Sequence, residues 1–236
     1  MCTLTFVAAG GKFIVTHNRD EQTARPSAIE PKRYLVNNTS VFFPKDSKAG
    51  GTWFAVATSQ SVLVLLNGAD EKHQILSNYR KSRGLIVLDL MTAKSVIDQW
   101  LRIDLDGIEP FTSILFEKGQ LVQLQWNGTN KLEQKLDTNK PYIWSSATLY
   151  SKQIREQRAK WFQLFLEQNK NLDENDLINF HRNTETNNNE NGLIINRNDV
   201  LKTLSVTQYV IESKKSVLHY YDLIANKQFS TTILTS

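Results

Sequence analysis

Alternation of apolar and polar positions predicts that the chain begins with a β-hairpin. Residues 3–9 alternate and are β-prone, the pair Gly10-Gly11 supplies a turn, and residues 12–16 resume the pattern. The stretch 62–66, Val-Leu-Val-Leu-Leu, has no polar face. Such a run is typical of a strand that is buried on both sides. The pattern therefore predicts packed sheets and not a single open sheet.

The rest of the chain divides into strand pairs and amphipathic helices. The further predicted elements are strands at 41–43, 53–57, 111–117, 121–126, 205–212, 217–221 and 229–234, and helices at 84–101 after Ser82, from Ser151 through Leu166, and at 173–180. Hairpins dominate, so the sheets are expected to be mainly antiparallel, with the helices covering sheet faces. The predicted fold is a single α+β domain over 1–236, a four-layer αββα sandwich.

The asparagine-rich stretch 183–191 breaks this pattern. It offers almost nothing to bury, so it is predicted to be an exposed, mobile and dispensable loop.

Composition and charge exclude several classes of function. The net charge of the 236 residues is only +4, and no run of five basic residues occurs, so nucleic acid is not an expected partner. No apolar run approaches the ~18 residues of a membrane span. A lone cysteine allows no internal disulfide, and the first residues lack the basic region of a signal peptide. We therefore expect a cytoplasmic protein of unknown oligomeric state.

Cys2 is the first residue with clear chemical potential. A small residue after Met1 favours removal of that methionine, which would leave a thiol and a free α-amine on Cys2. An α-amine titrates near ~7.7–8.0, so it is able to act as a general base at neutral pH. Alternatively, the cysteine is incidental at the start of a strand, and if Met1 persists the free-amine mechanism cannot operate.

The charged segment His17-Asn18-Arg19-Asp20-Glu21 ends the second predicted strand. The hairpin should bring it beside Cys2, where Arg19 is able to stabilise a thiolate and Asp20 to hold the α-ammonium. We therefore expect the Cys2 thiol to be more reactive than an ordinary cysteine. The alternative interpretation is a solvated strand end.

Asn67 ends the apolar strand, and Gly68 follows it. A side-chain amide there is able to donate to an oxyanion, although Asn-Gly is also a common hairpin turn. Trp53, with the aromatic residues near it, either lines a pocket or fills the core.

Several motifs occur together in one order along nearly the whole chain. They are Met1-Cys2, Asn18-Arg19-Asp20-Glu21, Arg25-Pro26-Ser27, Ala49-Gly50-Gly51-Thr52-Trp53, the strand ending in Asn67, Ser82-Arg83-Gly84, and the segment 143–149 before a long helix. With these motifs the sequence resembles the transport and Golgi organisation proteins, also called NRDE proteins.

The resemblance implies an N-terminal-nucleophile hydrolase-like fold of the penicillin acylase and bile-salt hydrolase kind. It implies that Cys2 is the nucleophile, with Arg19 beside it, Asp20 orienting the α-amine and Asn67 donating to the oxyanion. Asn18, Trp53 and Ser146 are candidate binding residues. Two positions depart from the family pattern: Ser145-Ser146 stands where a Ser-Asn pair is expected, and Leu204 stands where an arginine is common.

Two functions from different classes follow. The first is a cysteine hydrolase that cleaves a small, linear, non-peptide amide and needs no cofactor. The second, implied by the resemblance, is a non-catalytic carrier for haem, a lipid or acyl-CoA, with Cys2 or His17 as a haem ligand. The enzyme requires processed Cys2, Asp20 and Asn67 together, whereas a carrier requires a pocket and tolerates loss of the α-amine.

Overall fold

A computed structural model describes residues 2–234 as an α+β protein with antiparallel sheets. The elements in chain order are β1 (Cys2–Ala9), β2 (Lys12–Gln22), β3 (Ile29–Val36), β4 (Thr39–Lys45), β5 (Phe54–Ala57), β6 (Val62–Asn67), α1 (Arg83–Met91), α2 (Val96–Arg102), β7 (Phe111–Glu117), β8 (Gln120–Trp126), β9 (Lys131–Leu136), β10 (Tyr142–Ser145), α3 (Lys152–Gln168), α4 (Glu174–Asn183), β11 (Asn196–Arg197), β12 (Leu201–Ile211), β13 (Lys215–Asp222) and β14 (Lys227–Leu234).

The described chain forms two compact units, 2–25 with 138–234, and Pro26–Asp137. Each unit holds one seven-stranded sheet. The single domain over 1–236 stays a prediction.

The sheet of the first unit has the strand order β10-β1-β2-β12-β13-β14, with β11 paired to β12. Gly10 and Gly11 both have positive φ, which allows the tight turn that joins β1 to β2 and confirms the first predicted hairpin. Helix α4 contacts β2 and β12, and α3 contacts β10. The core between helices and sheet consists of Val7, Ile14, Phe162, Leu177, Phe180, Leu193 and Val210.

The sheet of the second unit runs from β3 to β9 in sequence order. Its central strand β6 is buried from Val62 to Leu66, as the apolar run predicted. Helix α1 packs against β5 and β6. The hairpins β5-β6 and β7-β8 confirm two further predictions.

Two glycines of the second unit allow its chain segments to touch. A Cβ on Gly51 would lie 2.3 Å from the carbonyl carbon of Gly84, and one on Gly84 would lie 2.9 Å from the backbone nitrogen of Thr52. That nitrogen donates to the Gly84 oxygen at 3.0 Å. Two of the recognised sequence motifs therefore form one backbone contact in the fold.

The single helix predicted over 84–101 is wrong, because the structure has α1 and α2 there. The Thr92 hydroxyl donates to the Leu88 carbonyl at the end of α1, and Ser95 caps the start of α2 by accepting from Asp98. The apolar spacing continues across both helices, which is why periodicity alone did not reveal the break.

The 183–191 stretch is a hydrogen-bonded turn. The backbone nitrogens of Asn188, Gly192 and Asn196 donate to Glu185, Asn188 and Asn189 oxygens respectively. The carbonyl of Asn191 accepts from the buried side chain of Arg158 at 3.2 Å. Most of its residues are exposed, as predicted, but its backbone also holds a buried side chain of the first unit. That the loop is mobile and dispensable stays a prediction.

Candidate functional site

The β1–β2 register brings Cys2 directly opposite Arg19. Asp20 is the next residue on β2, so it lies one position beyond the partner of Cys2, on the side of the Cys2 backbone nitrogen. On the far side of β2, Arg19 pairs with Ser205 and Asp20 with Thr203. A register shift at Leu204 separates these two pairs. The sheet therefore gathers three of the predicted site residues at one end of its central strands.

The Cys2 thiol is buried, with the residue only 4% exposed. Burial raises the pKa of this thiol, and the negative charge of Asp20 raises it further. The charge of the N-terminal ammonium, a hydrogen bond from the Asp20 backbone and the charge of Arg19 lower this pKa but do not prevail. The raised pKa opposes the expectation of an unusually reactive thiol, which rested on nearby charges and did not include desolvation.

Arg19 shares its neighbourhood with a second carboxylate. Its Nη2 lies 3.8 Å from Glu21 Oε2, and Arg25 Nε lies 3.8 Å from the same oxygen. The Glu21 side chain is mostly buried. The motif around Arg19 is therefore an ion cluster near Cys2 and not a solvated strand end.

The Asp20 carboxyl group is 1% exposed and receives two hydroxyl hydrogen bonds. Tyr150 donates to Oδ2 at 2.7 Å and Thr203 to Oδ1 at 2.7 Å. Burial raises the pKa of Asp20, while the charge of Arg158 and the two hydrogen bonds oppose that rise. Sequence reasoning missed Tyr150, Arg158 and Thr203, since they lie on distant elements and match no motif.

Asn18 holds helix α4 on the sheet. Its Nδ2 donates to the carbonyls of His181 at 3.0 Å and Leu193 at 2.7 Å, and its Oδ1 lies 2.6 Å from His181 Nδ1. His181 Nε2 contacts Thr5 Oγ1 at 2.8 Å. Burial lowers the pKa of His181 to about 3, so the ring is neutral, with Nδ1 donating to Asn18 and Nε2 accepting from Thr5. These contacts give Asn18 a structural role, and its direct binding of a ligand stays a prediction.

Ser146 lies beside Cys2. Its backbone nitrogen donates to the Cys2 carbonyl at 2.9 Å, and its hydroxyl is 3.0 Å from that of Thr148. The residue is 1% exposed. Its backbone thus fixes the Cys2 peptide, whereas its binding of a ligand stays a prediction.

Two buried hydroxyls lie on the same face of the sheet as the Cys2 side chain. Ser205 pairs with Arg19 and Thr207 with His17, and cross-strand pairs point to one face. Both residues are 0% exposed, and neither hydroxyl has a hydrogen-bond partner among residues 2–234. Buried polar groups are normally satisfied, so these two hydroxyls are exceptions in the packing of the described residues. The signal in the sequence was the polar alternation of this otherwise apolar strand.

Asn67 and Trp53 belong to the second unit. Asn67 pairs with Phe111 in β7, and Gly68 has φ 85° and donates from its nitrogen to the Pro110 carbonyl at 3.0 Å. The Asn-Gly pair therefore leaves the strand without forming a two-residue hairpin. Trp53 is buried at 6% exposure. That these two residues join Cys2 in one site stays a prediction.

Haem ligation requires an accessible ligand atom. His17 is 0% exposed and Cys2 is 4% exposed, so neither fits an axial ligand in this conformation. Haem binding stays a prediction. No helix among residues 2–234 is long and apolar enough to cross a membrane.

Solved structures with a similar fold are N-terminal-nucleophile hydrolases. Two variants of the conjugated bile acid hydrolase from Clostridium perfringens match with TM-scores of 0.63 and 0.59, at 9% and 10% identity. Each match covers 98% of this chain and 92% of that one. The N-acylethanolamine-hydrolyzing acid amidase orthologue of Caenorhabditis elegans matches with a TM-score of 0.57 and 12% identity, over 88% of this chain and 92% of that one.

These identities are low, so the matches show the fold alone, and they confirm the predicted α+β, N-terminal-nucleophile hydrolase-like class. Among curated proteins, none matches the chain. The Transport and Golgi organisation 2 family matches residues 1–230, and this confirms the resemblance drawn from the motifs. The chain belongs to the Transport and Golgi organisation 2 family.

Proposed function

We propose that this protein is a cysteine amidohydrolase that cleaves a linear, non-peptide amide after removal of Met1. The observation that carries the proposal is the position of Asp20, one residue beyond the partner of Cys2 and next to its backbone nitrogen. Removal of Met1 would convert that nitrogen into an α-amine. In this proposal the buried Asp20 carboxylate holds the α-amine, which acts as the base for the Cys2 thiol.

The reaction follows from these groups. The thiol proton passes to the α-amine, and the Cys2 sulfur forms a bond to the carbonyl carbon of the amide. The tetrahedral intermediate collapses when the α-ammonium returns the proton to the leaving amine, which breaks the C–N bond and leaves a thioester. Water, deprotonated by the α-amine, attacks the thioester and releases the carboxylic acid. The thiol is then restored.

The raised pKa of the thiol agrees with this route. A buried thiol remains protonated until a base takes its proton at the moment of attack. Arg19, directly across from Cys2, is placed to stabilise the thiolate. Asn67, at the end of a buried strand, is the proposed oxyanion donor.

The class of substrate is proposed by analogy of fold. The structurally similar enzymes hydrolyse a conjugated bile acid and an N-acylethanolamine, and each of these compounds contains an acyl group on a small amine. We therefore propose an N-acyl amide as substrate.

The experiment begins with the intact mass of the purified chain, which reports whether Met1 is lost. The processed chain is then incubated with glycocholate, N-palmitoylethanolamine and an N-acyl aminocoumarin, and the acyl-enzyme at Cys2 is sought by mass spectrometry. Cys2→Ala should abolish both the adduct and the turnover, and Asn67→Ala should lower kcat by ~100-fold. Asn130→Ala, an exposed asparagine in the same unit, is the matched control.

Hydrolysis by Cys2→Ala, or equal turnover by a chain that keeps a residue before Cys2, would overturn the proposal. If Cys2→Ala abolishes turnover but Asn67→Ala has no effect, Cys2 is still the nucleophile and Asn67 is not the oxyanion donor.

A further inference from the structure

The carboxyl group of Asp20 accepts hydrogen bonds from two buried hydroxyl groups. Thr203 Oγ1 accepts from the backbone nitrogen of Ile195 at 2.9 Å, and for its one hydrogen Asp20 Oδ1 at 2.7 Å is a nearer acceptor than the Leu193 carbonyl at 3.4 Å. The phenol hydrogen of Tyr150 points at the other oxygen, and burial with the nearby charge of Asp20 raises the pKa of Tyr150 well above its ordinary value. Both donors therefore remain protonated at neutral pH and favour the anionic form of Asp20.

The second layer of this arrangement is a fully buried guanidinium. Arg158, on α3, is 0% exposed, and its central carbon lies 3.6 Å from the centroid of the Tyr150 ring. It donates to the Thr3 hydroxyl and to the carbonyls of Gly192 and Asn191. These hydrogen-bond partners are all neutral. A buried cation needs a compensating anion, and the charge of Arg158 is the first of the effects that oppose the raised pKa of Asp20.

The asparagine-rich loop fixes the position of that guanidinium. Gly192 has no room for a side chain, because a Cβ there would lie 2.4 Å from the Glu185 oxygen and 2.7 Å from the Asn188 oxygen. The Gly192 nitrogen donates to the Asn188 oxygen at 2.8 Å. This tight turn presents the carbonyls of Asn191 and Gly192 to Arg158.

We propose that Tyr150, Thr203 and Arg158 are positioning residues that orient Asp20 beside the Cys2 nitrogen and favour its anionic form against burial, with the 183–191 loop and Gly192 as the anchor of Arg158. The role of these three residues in catalysis rests on the proposed hydrolase function. Their hydrogen-bonding and electrostatic effect on Asp20 does not depend on that function.

Other charged or titratable groups near Asp20 are few among the described residues. The Cys2 thiol approaches from β1, and Arg197 lies 5.4 Å from the centroid of the Tyr150 ring. His181, on α4, is neutral because burial lowers its pKa to about 3. Arg158 and Arg197 both lie against the phenol ring, so Tyr150 connects two guanidinium groups to the carboxylate.

The test is a carbon NMR titration of protein labelled at its aspartate carboxyl carbons, with the Asp20 signal assigned by its loss in Asp20→Asn. Arg158→Gln should raise the Asp20 pKa by about 1 or more, because a cation near a carboxyl group lowers that pKa by ~1–3. Tyr150→Phe should raise it as well, and Arg158→Lys should restore part of the native value. Lys160→Gln, which removes an exposed charge from the same helix, should leave it unchanged.

An Asp20 pKa that is the same in native protein and in folded Tyr150→Phe or Arg158→Gln would overturn the proposal. If Arg158→Gln does not fold, Tyr150→Phe and Arg158→Lys decide the outcome alone. In a second arm, the acidic limb of kcat/KM for an N-acyl aminocoumarin should move with the Asp20 pKa. If the native protein hydrolyses none of the probes, the proposed function is wrong. The NMR titration of Asp20 then still tests the positioning role, because it does not require turnover.

Discussion

At the scale of single residues, charge and burial act against each other around Cys2. Burial raises the pKa of the thiol, Asp20 raises it further, and Arg19 lowers it. Charges are readable from the sequence, whereas desolvation arises only from packing. The state of this thiol is therefore a property of its surroundings and not of its motif.

Removal of the cation and removal of the anion, each in its own variant, should separate the contributions of Arg19 and Asp20 to the pKa of the Cys2 thiol. Arg19→Ala removes a stabilising cation and should raise the Cys2 pKa, whereas Asp20→Asn removes an anion and should lower it. The rate of alkylation by iodoacetamide is measured against pH for each variant and for native protein. Native protein should show a midpoint above the ~8.5 of an ordinary thiol. A midpoint below that value, or shifts of the same sign in both variants, would contradict this account.

At the scale of elements, buried polar contacts attach helices to the sheet. His181 bonds with Asn18 and Thr5 and connects α4 to two strands. Its ring must stay neutral to make both contacts, so the helix attachment depends on pH.

The free energy of unfolding should fall in acid because of this histidine. Its pKa is about 3 in the folded chain and near the ordinary 6.5 in the unfolded chain. The unfolded state therefore binds the extra proton between these values, and stability present above about pH 6.5 is lost as the pH falls towards 3. The slope from this one group is about 1.4 kcal/mol per pH unit. Urea unfolding of the native protein and of His181→Gln between about pH 3 and pH 7 measures this pH dependence of the free energy of unfolding. An equal pH dependence in the two proteins would rule out the histidine as its source.

The close backbone contact between Gly51 and Gly84 is a second feature that joins separate elements of the fold. Gly51→Ala forces a Cβ to within 2.3 Å of backbone and should destabilise the protein by about 3 kcal/mol. Gly50→Asn is the control, because Gly50 has φ 74° with open space around it and asparagine tolerates that conformation. Thermal and urea unfolding report both changes. A Gly51→Ala variant as stable as Gly50→Asn would show that the backbone is able to separate at little cost.

At the scale of the whole molecule, exposure and hydrogen bonding distinguish two irregular segments. The 183–191 loop is bonded to itself and to Arg158. The segment 70–78 belongs to no helix or strand, and its Ile75 and Leu76 are 71% and 58% exposed. Composition correctly predicted that 183–191 is mostly exposed, but it gave no sign of the hydrogen bonds that hold this turn, among them the bond from the Asn191 nitrogen to the Asn188 side chain.

Limited proteolysis by proteinase K should therefore cut within 70–78 before it cuts within 183–191, because cleavage requires an accessible, extended backbone. Mass spectrometry of the first fragments identifies the site. First cleavage within 183–191 would restore the original interpretation of that loop as mobile.

Local features of the fold followed from sequence alone. Alternation and paired glycines predicted the first hairpin, an apolar run predicted the buried strand β6, and Ser151 correctly marked the start of α3. These features depend on neighbours within a few residues, so the chain itself contains the required information. The order of the motifs likewise predicted the family and, through it, the fold class.

Only the tertiary structure decided the surroundings of the site. Asp20 accepts hydrogen bonds from Tyr150 and Thr203, which lie 130 and 183 positions further along the chain. No pattern within a short stretch of sequence reports such pairs. The hydrogen bond from Asn18 to α4 and the raised pKa of the Cys2 thiol also depend on packing, as does the Ser205 hydroxyl, which finds no hydrogen-bond partner within residues 2–234. The physical reason is that burial and long-range hydrogen bonds determine charge states, and both exist only after distant segments have met.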